Sequence, residues 1–304
     1  MVLWKRTKDS GENKSRMKIG LVGLGLIGGC LGLDLRASGH SIYGVARRKE
    51  TCAQALAAKV VDEASIELAS LQACDVVFVC TPIAKIVPMV RQLAQVLPPE
   101  VVITDVGSVK GSIVKAATQE WPRFVGGHPM SGKSEAGIEA AERHLFQGNS
   151  YVITPLDEAN NSAGLNTDEG AIKIIEQLAG ELGSVLYHCS PTDHDRAVAW
   201  ISHLPVMVSA NLIRSTVNEP DDTVRQLAQN LASSGFRDTS RVGGGNPELG
   251  LMMAQYNRDE ILRSLRHYQQ GMTTVIEQIE AEDWPSLAAT LAETKKARSR
   301  FVGT

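Results

Sequence analysis

The apolar positions of the chain keep one rhythm up to about residue 190 and another beyond it. In the first part, short apolar runs alternate with stretches whose apolar residues recur at three- and four-residue spacing. Ile19, Leu21 and Val22 read as a short strand buried on both faces, and Leu26, Ile27, Leu31, Leu33 and Leu35 as the apolar residues of an amphipathic helix that Gly39 ends. Further strands are predicted at 41–45, 75–80, 101–104, 124–125, 151–154 and 185–188, and helices at 49–58, 66–71, 86–97 and 172–182. Thr81 and Pro82 stop the strand at 75–80, and Pro98 and Pro99 stop the helix at 86–97. Such alternation predicts a doubly wound α/β domain over residues 17–190.

Beyond Pro191 only the helical period remains. Helices are predicted at 193–215, 222–233, 247–256, 259–279 and 284–296, with Val198, Ile201, Leu204, Val208 and Leu212 marking one apolar face and Pro205 kinking the first of them. A break at Gly243, Gly244 and Gly245 separates two of these helices. Residues 191–304 are expected to form an all-helical C-terminal domain for substrate binding, dimerisation or both. Residues 1–16, polar and charged from Lys5 to Arg16, read as a disordered extension and are left out of the fold.

The turn after the first strand carries the first chemical signal. Gly23, Gly25 and Gly28 fall at G-x-G-x-x-G spacing between a strand and a helix, the context in which a glycine triplet marks a dinucleotide-binding (Rossmann) domain. The first glycine permits the tight turn, the second admits the pyrophosphate, and the third lets helix and strand pack closely. The free N–H groups around Leu26, Ile27 and Gly28 then face the phosphates. An NAD site usually places an acid after the second strand, to hold the ribose hydroxyls. This chain has Arg47 and Arg48 there, whose guanidinium forks match a 2′-phosphate, so NADP is the expected cofactor. The alternative is a pair of solvated arginines opening the next helix. Strand ends open toward the cofactor crevice in this fold, which places Thr81, Pro82 and Ile83 along it.

Composition narrows the function classes. With 304 residues, 43% hydrophobic content and a formal net charge of −3, the chain can build sizeable cores and carries no electrostatic footprint for nucleic acid or an anionic membrane. Five cysteines without a C-x-x-C pair indicate neither a disulfide framework nor a zinc site. No apolar run is long enough to span a membrane and no secretory segment is evident, so a cytoplasmic location is expected.

Two further strand ends bear polar residues that strand propensity does not explain: Asp105 to Lys110, including Ser108, and Gly126 to Gly132, including His128. Together with the glycine turn, the segments TDVGSVK (104–110), GGHPMSG (126–132), ISHLP (201–205) and GFRDTSR (235–241) resemble the prephenate/arogenate dehydrogenase family, in the family's order and over residues 17 to about 297. The longer runs ISHLPVMVSA and SSGFRDTSRVGGGNPELG are similar to the cyanobacterial NADP-dependent arogenate dehydrogenases in particular.

The resemblance implies oxidative decarboxylation of arogenate to tyrosine with hydride transfer to NADP, or of prephenate to 4-hydroxyphenylpyruvate, by a homodimer joined through the helical region. His128 is then the candidate proton acceptor, since an imidazole can take a hydroxyl proton as hydride leaves. The alternative is a hydrogen-bonded loop histidine. Ser108 either bridges substrate and nicotinamide or caps a helix beginning at Val109, or both. Asp105 reads as a partner for a loop amide and Lys110 as a solvated helix lysine. His203 is either a core histidine or a substrate-side or interface group. Arg241 matches the family's carboxylate-binding arginine, with Arg237 as the comparison; either also has Asp238 as an available partner. Many prephenate-using relatives carry S-H-x-P-H where this chain ends in Val206, which favours arogenate. A β-hydroxyacid or 6-phosphogluconate dehydrogenase and a non-catalytic NADP-sensing protein are the rival readings. Neither a fused chorismate mutase nor a regulatory amino-acid-binding domain is expected.

Overall fold

The computed structural model describes residues 16–133, 135–156 and 164–302. Of the polar N-terminal stretch only Arg16 is among them; the rest of the expected extension lies outside the described residues.

Eight strands, β1 (Lys18–Val22), β2 (Ser41–Val45), β3 (Glu63–Ser65), β4 (Val76–Val79), β5 (Val102–Asp105), β6 (Phe124–Pro129), β7 (Ser150–Thr154) and β8 (Val185–His188), form one sheet in the order 3-2-1-4-5-6-7-8. Strands β1 to β6 run parallel; β7 is antiparallel to β6 and parallel to β8. The central strands are continuous apolar runs because both their faces are covered. Val76 and Phe78 enter the layer that holds Leu31, Leu35, Ile175 and Leu178, from α1 (Leu26–Ala37) and α5 (Glu169–Glu181). Val77 and Val79 enter the opposite layer, with Ile86, Val90, Ile113 and Val114 from α3 (Ile83–Leu93) and α4 (Gly111–Glu120). A further helix, α2 (Lys49–Ala57), follows β2.

Three boundaries differ from the sequence reading for physical reasons. Residues 66–71 hold only a short 3-10 turn, Leu68–Leu71, preceded by the edge strand β3, whose three residues alternate too briefly to show a period. The helix predicted at 86–97 is Ile83–Leu93, with Pro82 at its N-cap, where a missing N–H is tolerated. The strand expected at 124–125 continues to Pro129 because Gly126–Pro129 pairs antiparallel with β7, setting His128 opposite Val152. A Cβ at Gly126 would fall 2.4 Å from both Thr154 and Val114. Glycine is what lets this strand lie so close.

The helical part comprises α6 (Pro191–Val198), α7 (Leu204–Val217), α8 (Asp222–Leu231), α9 (Ser234–Ser240), α10 (Pro247–Tyr256), α11 (Arg258–Glu280) and α12 (Trp284–Arg298). The helix predicted at 193–215 is interrupted by a π-helical turn, Ala199–His203, one residue short of Pro205, whose missing donor disrupts the regular ladder there. Strands give way to helices at Pro191, but compactness divides the chain later: one unit runs to Asn257, the other from Arg258. Helices α6 to α10 therefore share the unit of the sheet. The second unit is the pair α11 and α12, with Asp283 capping α12 through Ser286 N–H at 3.2 Å. No described helix is long and apolar enough to cross a membrane.

Candidate active site

The carboxyl ends of β1, β4, β5 and β6 are neighbours in the sheet. Strands lie ~4.8 Å apart, so the residues that follow them form a row along one edge. At the first position the chain leaves β1 through Gly23, with φ +102° and its N–H donating to the Val45 carbonyl at 2.9 Å. A Cβ there would lie 2.6 Å from the Cys80 carbonyl oxygen, and one at Gly28 would lie 2.1 Å from the Gly23 carbonyl oxygen. Around Gly25, by contrast, a Cβ would meet nothing within 4 Å. Two glycines are thus demanded by close packing and the middle one opens onto space, the arrangement a pyrophosphate needs.

Helix α1 begins at Leu26 with Gly25 as its N-cap, no capping side chain and no acid in its first turn, so its first N–H groups are available to an anion. The side chains of Leu26 and Ile27 are partly buried and pack against the core. Arg47 and Arg48 are exposed between β2 and α2, Arg48 being the N-cap of α2, and neither has an ion-pair partner among the described residues. Thr81 follows β4 with its hydroxyl oxygen buried and unpartnered. Pro82 stands beside it, whereas Ile83 is buried in the apolar layer shared with Val79 and Ile86.

The next two positions of the row are joined by a buried ion pair. Lys110, expected to be solvated, is fully buried: its Nζ donates to the Asp105 carboxylate and, at 2.8 Å, to the Gly127 carbonyl. Asp105 also accepts the N–H groups of Gly107 at 2.9 Å and Gly127 at 3.2 Å. This pair clamps the end of β5 to the residue before His128. Burial pulls the Lys110 ammonium below its ordinary value, opposed by Asp105. Ser108 does not cap a helix, because α4 starts at Gly111 and its cap comes from elsewhere; the Ser108 hydroxyl oxygen is buried with no partner.

That cap is Asp195 of α6, which sequence reasoning missed. Its Oδ1 accepts from Lys110 N–H and its Oδ2 from Gly111 N–H, both at 2.7 Å. Oδ1 also lies 2.8 Å from Nδ1 of His194, whose Nε2 lies 2.8 Å from Nδ1 of His128. Burial, then the neighbouring His194, Lys110 and His203, hold the His128 imidazole well below its ordinary value. It is therefore neutral near pH 7.

His203 ends the π-helical turn, fully buried. The side-chain amide of Asn257 lies 3.0 Å from its Nδ1 and donates to the Asp195 main-chain carbonyl at 2.8 Å. Nδ1 of His203 thus accepts, which leaves its buried Nε2 to carry the proton toward the Ser108 backbone. Burial pushes this imidazole down to about 4. The structure thus links His128 and His203, both named from sequence, through His194, Asp195 and Asn257, none of them named. An adjacent His-Asp pair opening a helix shortly before ISHLP was the available signal. Among the described residues no group of three His, Cys, Asp or Glu side chains is placed to hold a metal ion.

Arg237 and Arg241 lie on α9 and at its C-cap. Arg237 pairs with Asp238 at 3.2 Å, both exposed, while Arg241 has no hydrogen bond or ion pair among the described residues. Among the described residues no hydrogen bond or ion pair joins Arg241 to the histidine cluster. The following loop is fastened to α7: Gly243 N–H donates to Ser209 Oγ at 2.8 Å, and a Cβ at Gly243 would overlap the Ala210 nitrogen at 2.2 Å. Val206 is half-buried in the first turn of α7, and a Cβ on Gly250 of α10 would touch it at 3.6 Å.

Residues 31–184 match the family model described as prephenate dehydrogenase, nucleotide-binding domain, and residues 190–293 the one described as prephenate dehydrogenase, dimerization domain. The chain is 31% identical to a prephenate dehydrogenase of Bacillus subtilis over 90% of its own length and 73% of the relative's. The crystal structure of Synechocystis arogenate dehydrogenase is similar at 48% identity, with a TM-score of 0.82 over 94% of this chain and 100% of that one. The structure of prephenate dehydrogenase from A. aeolicus in complex with hydroxyphenyl propionate and NAD+ is similar at 25% identity, with a TM-score of 0.87 over 96% and 100%. A glycine turn built for a dinucleotide and a buried neutral histidine on one sheet edge, with both family models matched in order, make this chain a member of the prephenate dehydrogenase family of oxidoreductases.

Proposed function

We propose that this chain converts arogenate to tyrosine with NADP as cofactor. The observation that carries the reading is the placement of neutral His128 in one row with the glycine turn, Thr81 and Ser108, supported by 48% identity to the Synechocystis arogenate dehydrogenase. The cofactor fits the residues present: Gly25 leaves room, the α1 N–H groups suit the pyrophosphate, and the buried unpartnered hydroxyls of Thr81 and Ser108 suit polar groups further along. Arg47 and Arg48, exposed and without carboxylate partners among the described residues, suit a 2′-phosphate. Bound NADP would supply the hydride acceptor.

The residues of the chain then orient the ring and manage one proton. His128 takes the proton of the ring hydroxyl as the C–H bond at that carbon breaks and its electron pair departs as hydride. Loss of the ring carboxylate as carbon dioxide returns an electron pair to the ring, and the same proton goes back to the now phenolic oxygen. No net proton is released. Ser108 holds that oxygen in line. Arg241, without an acidic partner among the described residues, recognises a substrate carboxylate. His203, held between Asn257 and the Ser108 backbone, supports the substrate side of the site by positioning Ser108. Residues 17–190 serve the nucleotide and 191–304 the substrate and a homodimer interface, to which the exposed Tyr268, Met272, Ile276 and Ile279 on α11 belong. A cytoplasmic location accords with this role.

The relatives named for prephenate supply a second reading, 4-hydroxyphenylpyruvate formation from prephenate by the same steps. Initial rates with arogenate and prephenate, each with NAD and NADP, test both. Arogenate with NADP is expected to give the highest kcat/KM; faster turnover of prephenate, or of NAD, overturns the corresponding half of the proposal.

A further inference from the structure

We propose that His194 and Asp195 are positioning residues that fix the tautomer of His128, leaving its Nε2 as a bare lone pair aimed at the substrate. This rests on the reading of His128 as the proton acceptor. The starting point is the Asp195 carboxylate, both of whose oxygens already accept backbone N–H donors at the start of α4. Those donors cannot reverse, and a helix N-terminus favours negative charge, so the carboxylate acts as acceptor throughout. His194 must therefore present Nδ1–H across the 2.8 Å contact to Oδ1.

Burial lowers the proton affinity of His194, so the ring is neutral and its other nitrogen, Nε2, carries a lone pair. That lone pair lies 2.8 Å from Nδ1 of His128, the rings meeting edge to face at 66°. His128 must donate from Nδ1, and its Nε2 is left unprotonated. The opposite tautomer of His128 would require His194 to turn a lone pair toward the carboxylate. Hydrogen bonds to a charged group contribute enough to bias the two forms by roughly ten- to a hundredfold.

The chain thus reaches the base through a histidine rather than placing a carboxylate directly behind it. When the proton arrives at Nε2 of His128, the positive ring sits one hydrogen-bonded imidazole away from Asp195, which stabilises it without being protonated itself. The remaining charged or titratable groups near His128 are Lys110 before α4, Asp105 at the end of β5 and His203 in the π-helical turn. None of them makes a hydrogen bond to Nδ1 of His128, so among the described residues the tautomer is set along the His194 branch.

Nitrogen-15 NMR of the histidine rings in the free protein, with His128 assigned by comparison with His128→Gln, reads the tautomer directly. In the wild-type protein Nδ1 of His128 is expected to be protonated and Nε2 to show the shift of a bare nitrogen. His194→Phe should mix the two forms and lower kcat by ~10²-fold with an unchanged KM for the cofactor. His194→Gln, whose amide oxygen can accept from Nδ1, should restore the wild-type tautomer and most of the rate. A protonated Nε2 in the wild-type protein, or the same tautomer in His194→Phe as in wild type, overturns the proposal. Because the resonances are read without substrate, a protein with the expected tautomer that oxidises neither arogenate nor prephenate would sink the proposed function and leave the relay standing.

Discussion

Replacing Lys110 by Met removes the cation of the buried pair while filling its volume. Asp105 then retains two backbone donors, Gly107 and Gly127, but stands in a fully buried position with no counter-charge, and the Gly127 carbonyl loses a 2.8 Å donor. Breaking a buried pair from one side costs ~3–5 kcal/mol, and the two remaining N–H groups place the expectation near the lower end, ~3 kcal/mol. At ~2–4 °C per kcal/mol for a unit of this size, the thermal midpoint should fall by roughly 6–12 °C. Urea unfolding followed through the fluorescence of Trp121, buried with its Nε1 donating to the Val101 carbonyl at 2.8 Å, measures the loss. The double variant Asp105→Asn, Lys110→Met removes the stranded charge and should recover much of the stability. A single-variant loss below ~1 kcal/mol, or a double variant no better than the single, would show that the pair does not clamp β5 to β6.

Losing one guanidinium contact to a phosphate costs ~1.5–3 kcal/mol, so Arg47→Ala and Arg48→Ala should each weaken NADP by roughly ten- to a hundredfold and leave NAD nearly unchanged in fluorescence titrations; equal losses for both cofactors would reject the phosphate role. Arg241→Ala should raise the substrate KM strongly, with Arg241→Lys only a partial rescue because a point charge lacks the fork; a normal KM would move carboxylate recognition elsewhere. Val206→His should raise prephenate turnover relative to arogenate, by supplying a donor to the pyruvyl side chain; an unchanged ratio would leave Val206 as a packing residue against α10. Stability should fall as pH drops from about 6.5 toward about 4, because over that window the unfolded chain protonates His203 and the folded one does not, with ~3 kcal/mol at stake; denaturation midpoints at pH 7 and pH 5 that agree, or a His203→Asn variant with the same slope, would refute it.

What could be read from the sequence follows the range over which each constraint acts. The glycine turn, the strands buried on both faces and the helices beyond Pro191 announce themselves locally, since each depends on residues within one or two turns of itself. The position of His128 was legible for the same reason: it stands near a strand end, where this fold exposes its residues to the crevice. Its supports were not. His194 is 66 residues away and Asn257 54 residues from His203, and neither spacing has a meaning until α6 packs on α4 and β7 and α10 packs on the π-helical turn. Lys110 shows the converse error. Alone in a polar loop it has the sequence signature of a solvated lysine, and only the glycine at 127, whose carbonyl it reaches, and the carboxylate five residues before it make burial tolerable.

The same distinction explains why one residue can serve fold and chemistry at once. Asp195 closes the N-terminus of α4, a structural duty that fixes its two oxygens, and that fixation is what gives the neighbouring histidines no freedom of tautomer. A carboxylate with only a catalytic partner would be free to rotate or take up a proton. One held by two backbone N–H groups transmits a definite hydrogen-bond direction through His194 to His128. Tilting α6 or unravelling the first turn of α4 would therefore impair His128, the proposed proton acceptor, without touching it. Changes in either element should accordingly lower turnover before they weaken cofactor binding, which we assign to the glycine turn at the other end of the row.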